Sequence, residues 1–252
     1  MVDKKLAVPG IGAMDQAVAK LEMYEHLRNP PADNELIIGN LPLYLRSVML
    51  AKILYVNELY SQILDLPGII MEFGVWWGAN MALLNSYRSV YEPYNWPRRI
   101  IGFDTFEGYK NPTPQDGGTL PKVASGHAMQ ADHEKYIESV MATHERDNPM
   151  NHIKKFDLIK GDVQQSLPKY LRENPATIIS LAYIDLGLYE PCKAVLEAIR
   201  PHLIRGSIIA LDELNSPNFP GETIALRDTL GLKGYSIRRS RFLPDRSWLV
   251  FE

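Results

Sequence analysis

The sequence predicts an α/β fold built on a mostly parallel sheet, and two observations support that prediction. Short apolar segments alternate with helical segments from residue 67 onwards, which is typical of parallel strands that are covered by helices. The last two apolar segments, 235–239 and 247–251, are expected to pair as an antiparallel hairpin. We therefore expect a Rossmann-like, seven-stranded sheet with an antiparallel C-terminal strand and helices on both faces.

Extra helices are expected before the first strand. Asp15 is predicted to cap a helix that ends at the Asn-Pro-Pro segment 29–31. A second helix is predicted from Pro42 to Leu64, and because it is apolar on most sides we expect it in the core or in a contact between subunits. Residues 1–43 are thus interpreted as a helical extension of one domain that covers residues 1–252.

The alternating segments that follow are assigned in chain order. Strands are expected at 69–74, 99–103, 156–160, 178–184 and 207–211, and helices at 79–91, 164–173, 189–202 and 220–230. The interval 109–152 interrupts the alternation, begins with several prolines and glycines, and predicts a helix at 132–146. An insertion of this length at a strand end is typical of a functional segment, so a lid is one interpretation and a static surface excursion is the other.

The composition limits the classes of function. The chain has 252 residues, with 27 Lys and Arg against 30 Asp and Glu, and its net charge of −3 argues against a dedicated binder of nucleic acid or of anionic membranes. A single cysteine, Cys192, excludes an internal disulfide and a multi-cysteine zinc site. No apolar run reaches the roughly 18 residues that span a bilayer. We expect a cytoplasmic protein that binds neither nucleic acid nor membrane.

The end of the first strand predicts a ligand-binding turn. The segment from Glu72 to Gly78 reads EFGVWWG, in which Gly74 and Gly78 allow the backbone to turn closely around a ligand. Glu72 beside that turn can hold a cationic group such as an amino-acid ammonium. The glycine spacing matches neither the dinucleotide fingerprint nor a phosphate-binding P-loop. A plain strand-to-helix turn is the alternative.

Two further acids follow the second and third strands. Asp104 occupies the position that accepts hydrogen bonds from ribose hydroxyls, and Asp162 can meet an adenine amino group. Each acid alone is also compatible with a helix cap or a solvated charge. Together with Glu72 they predict a pocket for S-adenosylmethionine rather than NAD, because a pyrophosphate cradle is missing. The residues expected around this cofactor are Glu72, Gly74, Val75, Trp76, Gly78, Asn80, Asp104, Thr105, Phe106, Gly161, Asp162, Val163 and Asp185.

Three acids at the ends of the fourth and fifth strands predict a metal site. Asp185, Asp212 and Glu213 would repel one another without a compensating cation. Oxygen ligands favour Mg²⁺, Mn²⁺ or Ca²⁺ over Zn²⁺, and Mg²⁺ is the expected ion. Asn215 and Glu222 are candidates for a further ligand. The alternative is that Asp212 or Glu213 only caps the following turn.

The same stretches resemble the macrocin O-methyltransferase family, class I S-adenosylmethionine enzymes that methylate sugar hydroxyls on bacterial natural products. The resemblance extends roughly from residue 46 to the C-terminus and depends on the motifs at 67–78, 103–108, 184–190 and 211–213. The chain departs from the family at 185–189, where Asp-Gly-Asp-Leu-Tyr is usual, and at 212–213, where two aspartates are usual. Asn80 stands where a serine or a similar small residue is common.

This resemblance implies cofactor contacts at Glu72, Gly74, Asp104 and Asp162 and metal ligands at Asp185, Asp212 and Glu213. It implies metal-dependent methylation of a sugar hydroxyl, on a nucleotide-bound deoxysugar or a finished glycoside, in antibiotic biosynthesis.

Asp185 is one candidate base, and His127 and His133 in the mid-chain insertion are the others, although either histidine is also compatible with a solvated position.

Two other functions stay open: a metal-independent methyltransferase acting on another small polar acceptor, and a non-catalytic or hydroxylase-like protein of the same fold. The apolar second helix and the N-terminal extension favour a homo-oligomer.

Overall fold

The computed structural model describes residues 11–117 and 128–252. The chain divides into two compact units, residues 1–50 and residues 51–252. Among the described residues, no helix is both long enough and apolar enough to cross a membrane.

The first unit is helical where it is described. Helix α1 covers Ile11–Arg28, helix α2 covers Asn34–Gly39, and a 3₁₀ turn follows at Leu41–Tyr44. Helix α2 begins after Asp33, whose side chain accepts a hydrogen bond from a backbone N–H of the first turn. The predicted cap Asp15 is wrong, because α1 begins before it and a residue inside a helix has no free N–H to cap.

The second predicted helix, 42–64, consists of two elements. The 3₁₀ turn ends at Tyr44 and helix α3 covers Ser47–Gln62. Exposed residues at the start of α3 are Val48, Met49 and Leu50, whereas its later buried residues are Tyr55, Val56, Leu59 and Tyr60. The later turns therefore lie in the core, and a contact between subunits at the exposed first turn stays a prediction.

A seven-stranded sheet forms the centre of the second unit. Its strands are β1 (Ile69–Phe73), β2 (Ile100–Asp104), β3 (Phe156–Lys160), β4 (Ile179–Ile184), β5 (Leu203–Leu211), β6 (Ser236–Arg239) and β7 (Ser247–Val250). Their order is β3-β2-β1-β4-β5-β7-β6. Strands β1 to β5 are parallel, and β7 pairs antiparallel with both β5 and β6. The predicted fold class is confirmed.

Helices cover both faces of this sheet because the strands are apolar on both sides. Met71 and Phe73 face a core that α6 (Val163–Glu173), α7 (Tyr189–Ile199) and α8 (Gly221–Thr229) complete. Residues of opposite orientation, such as Ile70, face a second core. That core is completed by α3 together with α4 (Ala79–Tyr91) and α5 (His133–Asp147).

The strand order positions the site. β1 has β2 on one side and β4 on the other. The strands that follow β1 along the chain, β2 and β3, are added on one side of it, and β4 and β5 are added on the other. A crevice is expected outside the carboxyl ends of strands at such a switch point. The predicted acids and glycines follow these same strands, and the fold therefore gathers them at one edge of the sheet.

The mid-chain insertion is described on both sides of residues 118–127. Its first part ends in a 3₁₀ turn, Pro114–Asp116, closed by reciprocal hydrogen bonds between Thr113 and Asp116. The other carboxylate oxygen of Asp116 accepts a hydrogen bond from the backbone N–H of Tyr189 at 2.5 Å, which attaches the insertion to the start of α7. The helix predicted at 132–146 is confirmed as α5. The lid stays a prediction.

Candidate active site

A cavity of about 980 Å³ opens at the carboxyl ends of the parallel strands. The predicted site residues that line it are Gly74, Trp76, Asp104, Thr105, Gly161, Asp162, Val163, Asp185, Asp212 and Glu213. Those that do not line it are Glu72, Val75, Gly78, Asn80, Phe106 and His133. A smaller hollow of about 360 Å³ lies at the opposite edge of the sheet, beside Gly68 and Arg99, and contains none of the predicted residues.

The glycine turn after β1 has no room for side chains. Gly74 has φ +92°, and a Cβ atom added to it would lie 2.0 Å from the carbonyl oxygen of Asp185. Gly78 has φ +79°, and a Cβ there would lie 2.8 Å from a methyl carbon of Ile137. Both glycines are therefore required, the first by the approach of β4 and the second by the packing of α5.

Asp104 joins the turn after β1 to the turn after β2. Its Oδ2 accepts a hydrogen bond from the backbone N–H of Trp76 at 2.8 Å, and its Oδ1 accepts one from Phe106 at 2.6 Å. Trp76 (φ 48°) and Phe106 (φ 59°) both adopt the left-handed conformation, which is unfavourable for residues with a Cβ. The carboxylate of Asp104 thus holds two strained residues in place while it lines the cavity. Sequence reasoning did not predict this role.

Glu72 is buried beneath the glycine turn, with 1% of its surface exposed. Burial raises its pKa to about 8, against the lowering effects of the Lys52 charge and a hydrogen bond from Asn80. Among the described residues, neither Oε2 of Glu72 nor Oδ1 of Asn80 has a hydrogen-bond partner. Two orphaned buried acceptors beside the Gly74 turn suit a ligand that brings donors, such as an ammonium group, although neither residue lines the cavity. Their contact with S-adenosylmethionine stays a prediction.

Asp162 caps helix α6, since its side chain accepts a hydrogen bond from the backbone N–H of Gln164 at 2.9 Å. The preceding Gly161 has φ +139° and donates its N–H to the carbonyl of Asp104. Asp162 is therefore a helix cap, as one of the two interpretations predicted, and it also lines the cavity. Its predicted contact with adenine stays a prediction.

Asp185, Asp212 and Glu213 lie on one wall of the cavity, as expected for the ends of neighbouring strands. Burial raises the pKa of Asp185 well above its ordinary value, and the charges of Asp212 and Glu222 raise it further. The positive charges of Lys52 and Arg246 act in the opposite direction. Asp185 is consequently a stronger base than a solvated aspartate.

An arginine supplies the cation beside Asp212. The Nε of Arg246 lies 2.5 Å from Oδ1 of Asp212, and its Nη1 donates to the backbone oxygen of Asp212 at 2.9 Å. The hydroxyl of Tyr183 donates to the same Oδ1 at 2.7 Å. Strand β7 runs antiparallel to β5, with Ser247 opposite Leu211. Arg246, which precedes Ser247, therefore lies opposite Asp212, which follows Leu211.

Glu222 has a structural role in this wall. Its Oε1 accepts hydrogen bonds from the backbone N–H groups of Leu186 and Gly187, and its Oε2 accepts one from Glu213. Burial raises its pKa to about 7, and these backbone hydrogen bonds lower it in turn. Glu222 thereby ties the loop after β4 to the loop after β5.

The acids as placed do not fit a metal ion. Within residues 11–117 and 128–252, no group of three or more His, Cys, Asp or Glu side chains is arranged to hold one. Asp212 is already paired with Arg246, and Glu222 is occupied by backbone N–H groups. Arg246, which sequence reasoning missed, supplies part of the charge compensation that the sequence assigned to a metal, and the metal itself stays a prediction.

The two histidines do not join this cluster. His133 begins α5 and is buried edge-on against Trp77, with ring centroids 4.6 Å apart, and it does not line the cavity. Its Nε2 has no hydrogen-bond partner among the described residues. His127 lies outside the described residues. The geometry brings Asp185 to the cavity and does not bring His133 there.

Two aromatic residues form an aromatic wall of the same cavity. Tyr109 and Phe219 both line it, with ring centroids 6.5 Å apart and ring planes at 43°. Burial and the charge of Asp185 raise the pKa of Tyr109, so its hydroxyl stays protonated at neutral pH. Such a wall suits the apolar face of a ring-shaped ligand.

Comparisons with known proteins agree with this geometry. A family model described as a methyltransferase domain matches residues 71–214, which is more than half of the chain. No curated protein matches the chain by sequence.

Solved structures extend the likeness to almost the whole chain. The crystal structure of CalS11, a calicheamicin methyltransferase, is 40% identical, with a TM-score of 0.89 over 97% of this chain and 95% of that one. An apo structure of CalS11, described as a TDP-rhamnose 3′-O-methyltransferase of calicheamicin biosynthesis, is 39% identical, with a TM-score of 0.84 over 98% and 97%. The O-methyltransferase NovP, at 16% identity with a TM-score of 0.59 over 79% of both chains, shares the fold.

The family model, the near-complete match to a 40% identical methyltransferase and the cavity at the strand ends lead to the same assignment. The chain belongs to the methyltransferase-domain family and is an S-adenosylmethionine-dependent O-methyltransferase.

Proposed function

We propose that this enzyme methylates a sugar hydroxyl, on a nucleotide-bound deoxysugar or on a natural-product glycoside. The observation that carries the proposal is one cavity that a half-buried carboxylate, Asp185, lines together with the aromatic rings of Tyr109 and Phe219. The acid can accept the proton of a hydroxyl, and the aromatic wall can pack against a sugar ring. The resemblance to macrocin O-methyltransferases and the 40% identity to CalS11 support a role in antibiotic biosynthesis.

Asp185 is the proposed base. S-adenosylmethionine supplies an electrophilic methyl group on a positively charged sulfur. As the hydroxyl oxygen bonds to that methyl carbon, Asp185 takes the hydroxyl proton, and the carbon–sulfur bonding pair stays on sulfur. The products are a methyl ether, S-adenosylhomocysteine and protonated Asp185. The acidic wall also favours the positive sulfur, and the remainder of the cavity contributes mainly by orienting the reactants.

Lysines on the cavity lining favour the nucleotide-bound sugar over the glycoside. Lys110 and Lys160 line the cavity and are about half exposed, so both can donate to a diphosphate. CalS11 is described as acting on TDP-rhamnose. We expect faster methylation of TDP-deoxysugars than of the matching methyl glycosides, with the product detected by mass spectrometry as the gain of one methylene. Faster turnover of the glycosides would contradict the nucleotide assignment.

Replacement of Asp185 by asparagine tests the proposed base. Asp185→Asn keeps the size of the side chain and removes the proton acceptor, so kcat should fall by about 10²–10⁴-fold. The affinity for S-adenosylhomocysteine, measured by calorimetry, should stay within about threefold of the wild type. Glu190→Gln, at an exposed acid that also borders the cavity, is the matched comparison. An Asp185→Asn enzyme with the kcat of the wild type would show that another group takes the proton.

Dependence on a divalent cation stays a prediction. Arg246 now pairs with Asp212, so a cation would have to displace it. Dialysis against EDTA followed by addition of Mg²⁺ separates the alternatives. Activity that is lost and then restored supports metal dependence, whereas activity undiminished by EDTA supports the metal-independent enzyme.

The sequence also left open a non-catalytic or hydroxylase-like protein of the same fold, and the family model and the 40% identical methyltransferase argue against it. Saturable binding of S-adenosylhomocysteine in a calorimetric titration is the expected result, and no binding at millimolar ligand would contradict the methyltransferase assignment. The proposed homo-oligomer is tested by light scattering during gel filtration.

A further inference from the structure

We propose that Lys52 is a further catalytic residue, whose ammonium donates a hydrogen bond to the acceptor oxygen beside Asp185. The inference rests on the proposed function and goes beyond it, because Lys52 precedes the segment 71–214 that the family model matches. Neither the strand-end motifs nor the resemblance pointed to this residue.

Helix α3 places Lys52 at the site. Tyr55 and Val56 lie three and four residues later, on the same side of the helix, and both are fully buried against the sheet. The ring of Tyr55 packs edge-on against Tyr183 of β4, with centroids 6.2 Å apart. Lys52 is thereby held at the carboxyl edge of the sheet, where it lines the cavity together with Asp185.

Within residues 11–117 and 128–252, Lys52 differs from the other cations that line the cavity in having no hydrogen-bond or ion-pair partner. Lys110 is paired with Glu107, Lys160 with Glu134 and Arg246 with Asp212. The ammonium of Lys52 forms no hydrogen bond or ion pair with any residue that the structure describes, although Lys52 is only partly exposed. It is therefore the cavity cation best able to take a ligand as its partner.

The surrounding charges indicate what kind of ligand that is. Lys52 lines the cavity together with Asp185 and Asp212, and its positive charge lowers the pKa values of both acids and of Glu72. Acids outnumber bases at this end of the cavity, which disfavours a phosphate or a carboxylate there. A neutral hydroxyl that becomes negative during the reaction is the better partner.

The step balances without a further reactant. The hydroxyl proton passes to the carboxylate of Asp185, the oxygen forms a bond to the methyl carbon, and the carbon–sulfur pair stays on sulfur. Lys52 keeps its protons and donates a hydrogen bond to the acceptor oxygen while negative charge develops on it. Such a donor acts mainly in the transition state, and removal of a comparable donor elsewhere costs about 10²–10³ in kcat.

Two substitutions test the proposal. Lys52→Met keeps the aliphatic stem and removes the charge, so we expect kcat to fall by about 10²–10³-fold while the KM of the sugar substrate stays within about threefold. Lys52→Arg keeps a hydrogen-bond donor and should recover part of kcat. It also keeps the proposal testable if Lys52→Met does not fold. Lys169→Met, at an exposed lysine of α6 far from the cavity lining, should match the wild type.

Three results would overturn the proposal. An unchanged kcat in Lys52→Met excludes a catalytic role, and a raised KM with unchanged kcat assigns Lys52 to ground-state binding. A large loss of S-adenosylhomocysteine affinity in Lys52→Met assigns it to the methionine half of the cofactor. Failure of the proposed function has a different signature, because the wild type itself would then methylate none of the sugars while still binding S-adenosylhomocysteine.

Discussion

Single residues at this site are kept in states that cost free energy. Asp104 holds Trp76 and Phe106 in the left-handed conformation through two backbone hydrogen bonds. Glu72 and Asn80 keep buried oxygen atoms that are unpaired among the described residues. Strain and unpaired polar atoms gathered on one side of a fold are typical of a site prepared for a ligand.

The buried carboxyl of Glu72 leads to a prediction about stability and pH. Its pKa is about 8 in the folded protein against an ordinary value near 4.5, so the folded state binds a proton that the unfolded state releases between these two pH values. Stability therefore falls as the pH rises from about 4.5 to about 8, by up to about 1.4 kcal/mol per pH unit. Glu72→Gln removes this loss.

We expect the melting temperature of Glu72→Gln, relative to the wild type, to rise as the pH is increased from 5 to 8.5, with both proteins free of cofactor. Glu173→Gln, at an exposed glutamate, should show no such trend. Parallel pH curves for Glu72→Gln and the wild type would show that Glu72 titrates normally.

At the scale of elements, the β1–α4 turn depends on contacts that are distant in sequence. Gly74 approaches the backbone of Asp185, and Gly78 approaches Ile137 of α5. Helix α4 itself matches the predicted limits, because its amphipathic pattern is local. The 42–64 helix was predicted wrongly because apolar residues alone do not show where a helix is interrupted, and Tyr44 and Ser47 belong to different elements.

Gly74→Ala tests the close approach of the turn after β1 to the end of β4. The added Cβ would lie 2.0 Å from the carbonyl oxygen of Asp185, so β1 and β4 would have to separate. We expect the protein either to lose solubility or to lose several kcal/mol of unfolding free energy, measured by urea denaturation. Gly39→Ala, where nothing lies within 4 Å of the added atom, should change stability by less than about 1 kcal/mol. Equal stability of the two variants would contradict the close approach of β1 and β4.

In the whole molecule, the last part of the chain contributes a residue to the site. The β6–β7 hairpin adds to the edge of the parallel sheet and carries Arg246 to Asp212. The most negative wall of the cavity is thus neutralised by a residue 34 positions further along the chain. This contact couples the C-terminal hairpin to the centre of the sheet.

Arg246→Met should therefore destabilise the second unit as a whole. It leaves the carboxylate of Asp212 buried, with Tyr183 as its remaining hydrogen-bond donor in the part of the chain that the structure describes, and breaking a buried pair typically costs about 3–5 kcal/mol. Urea unfolding of Arg246→Met should show this loss in one transition, whereas Arg239→Met, at an exposed position of the same hairpin, should remain near the wild type. An unchanged midpoint for Arg246→Met would show that Asp212 is protonated in the wild type.

Periodicity and residue spacing alone predict the strand and helix pattern, the fold class and the acids and glycines at the strand ends. These follow from local periodicity, and from the rule that parallel strands bring their carboxyl ends to one edge. The partners of those acids depend on tertiary contacts. Lys52 and Arg246 come from a helix before the sheet and a strand at its end, and their distance in sequence hides the pairing. Charge compensation depends on proximity in space, which residue spacing does not report.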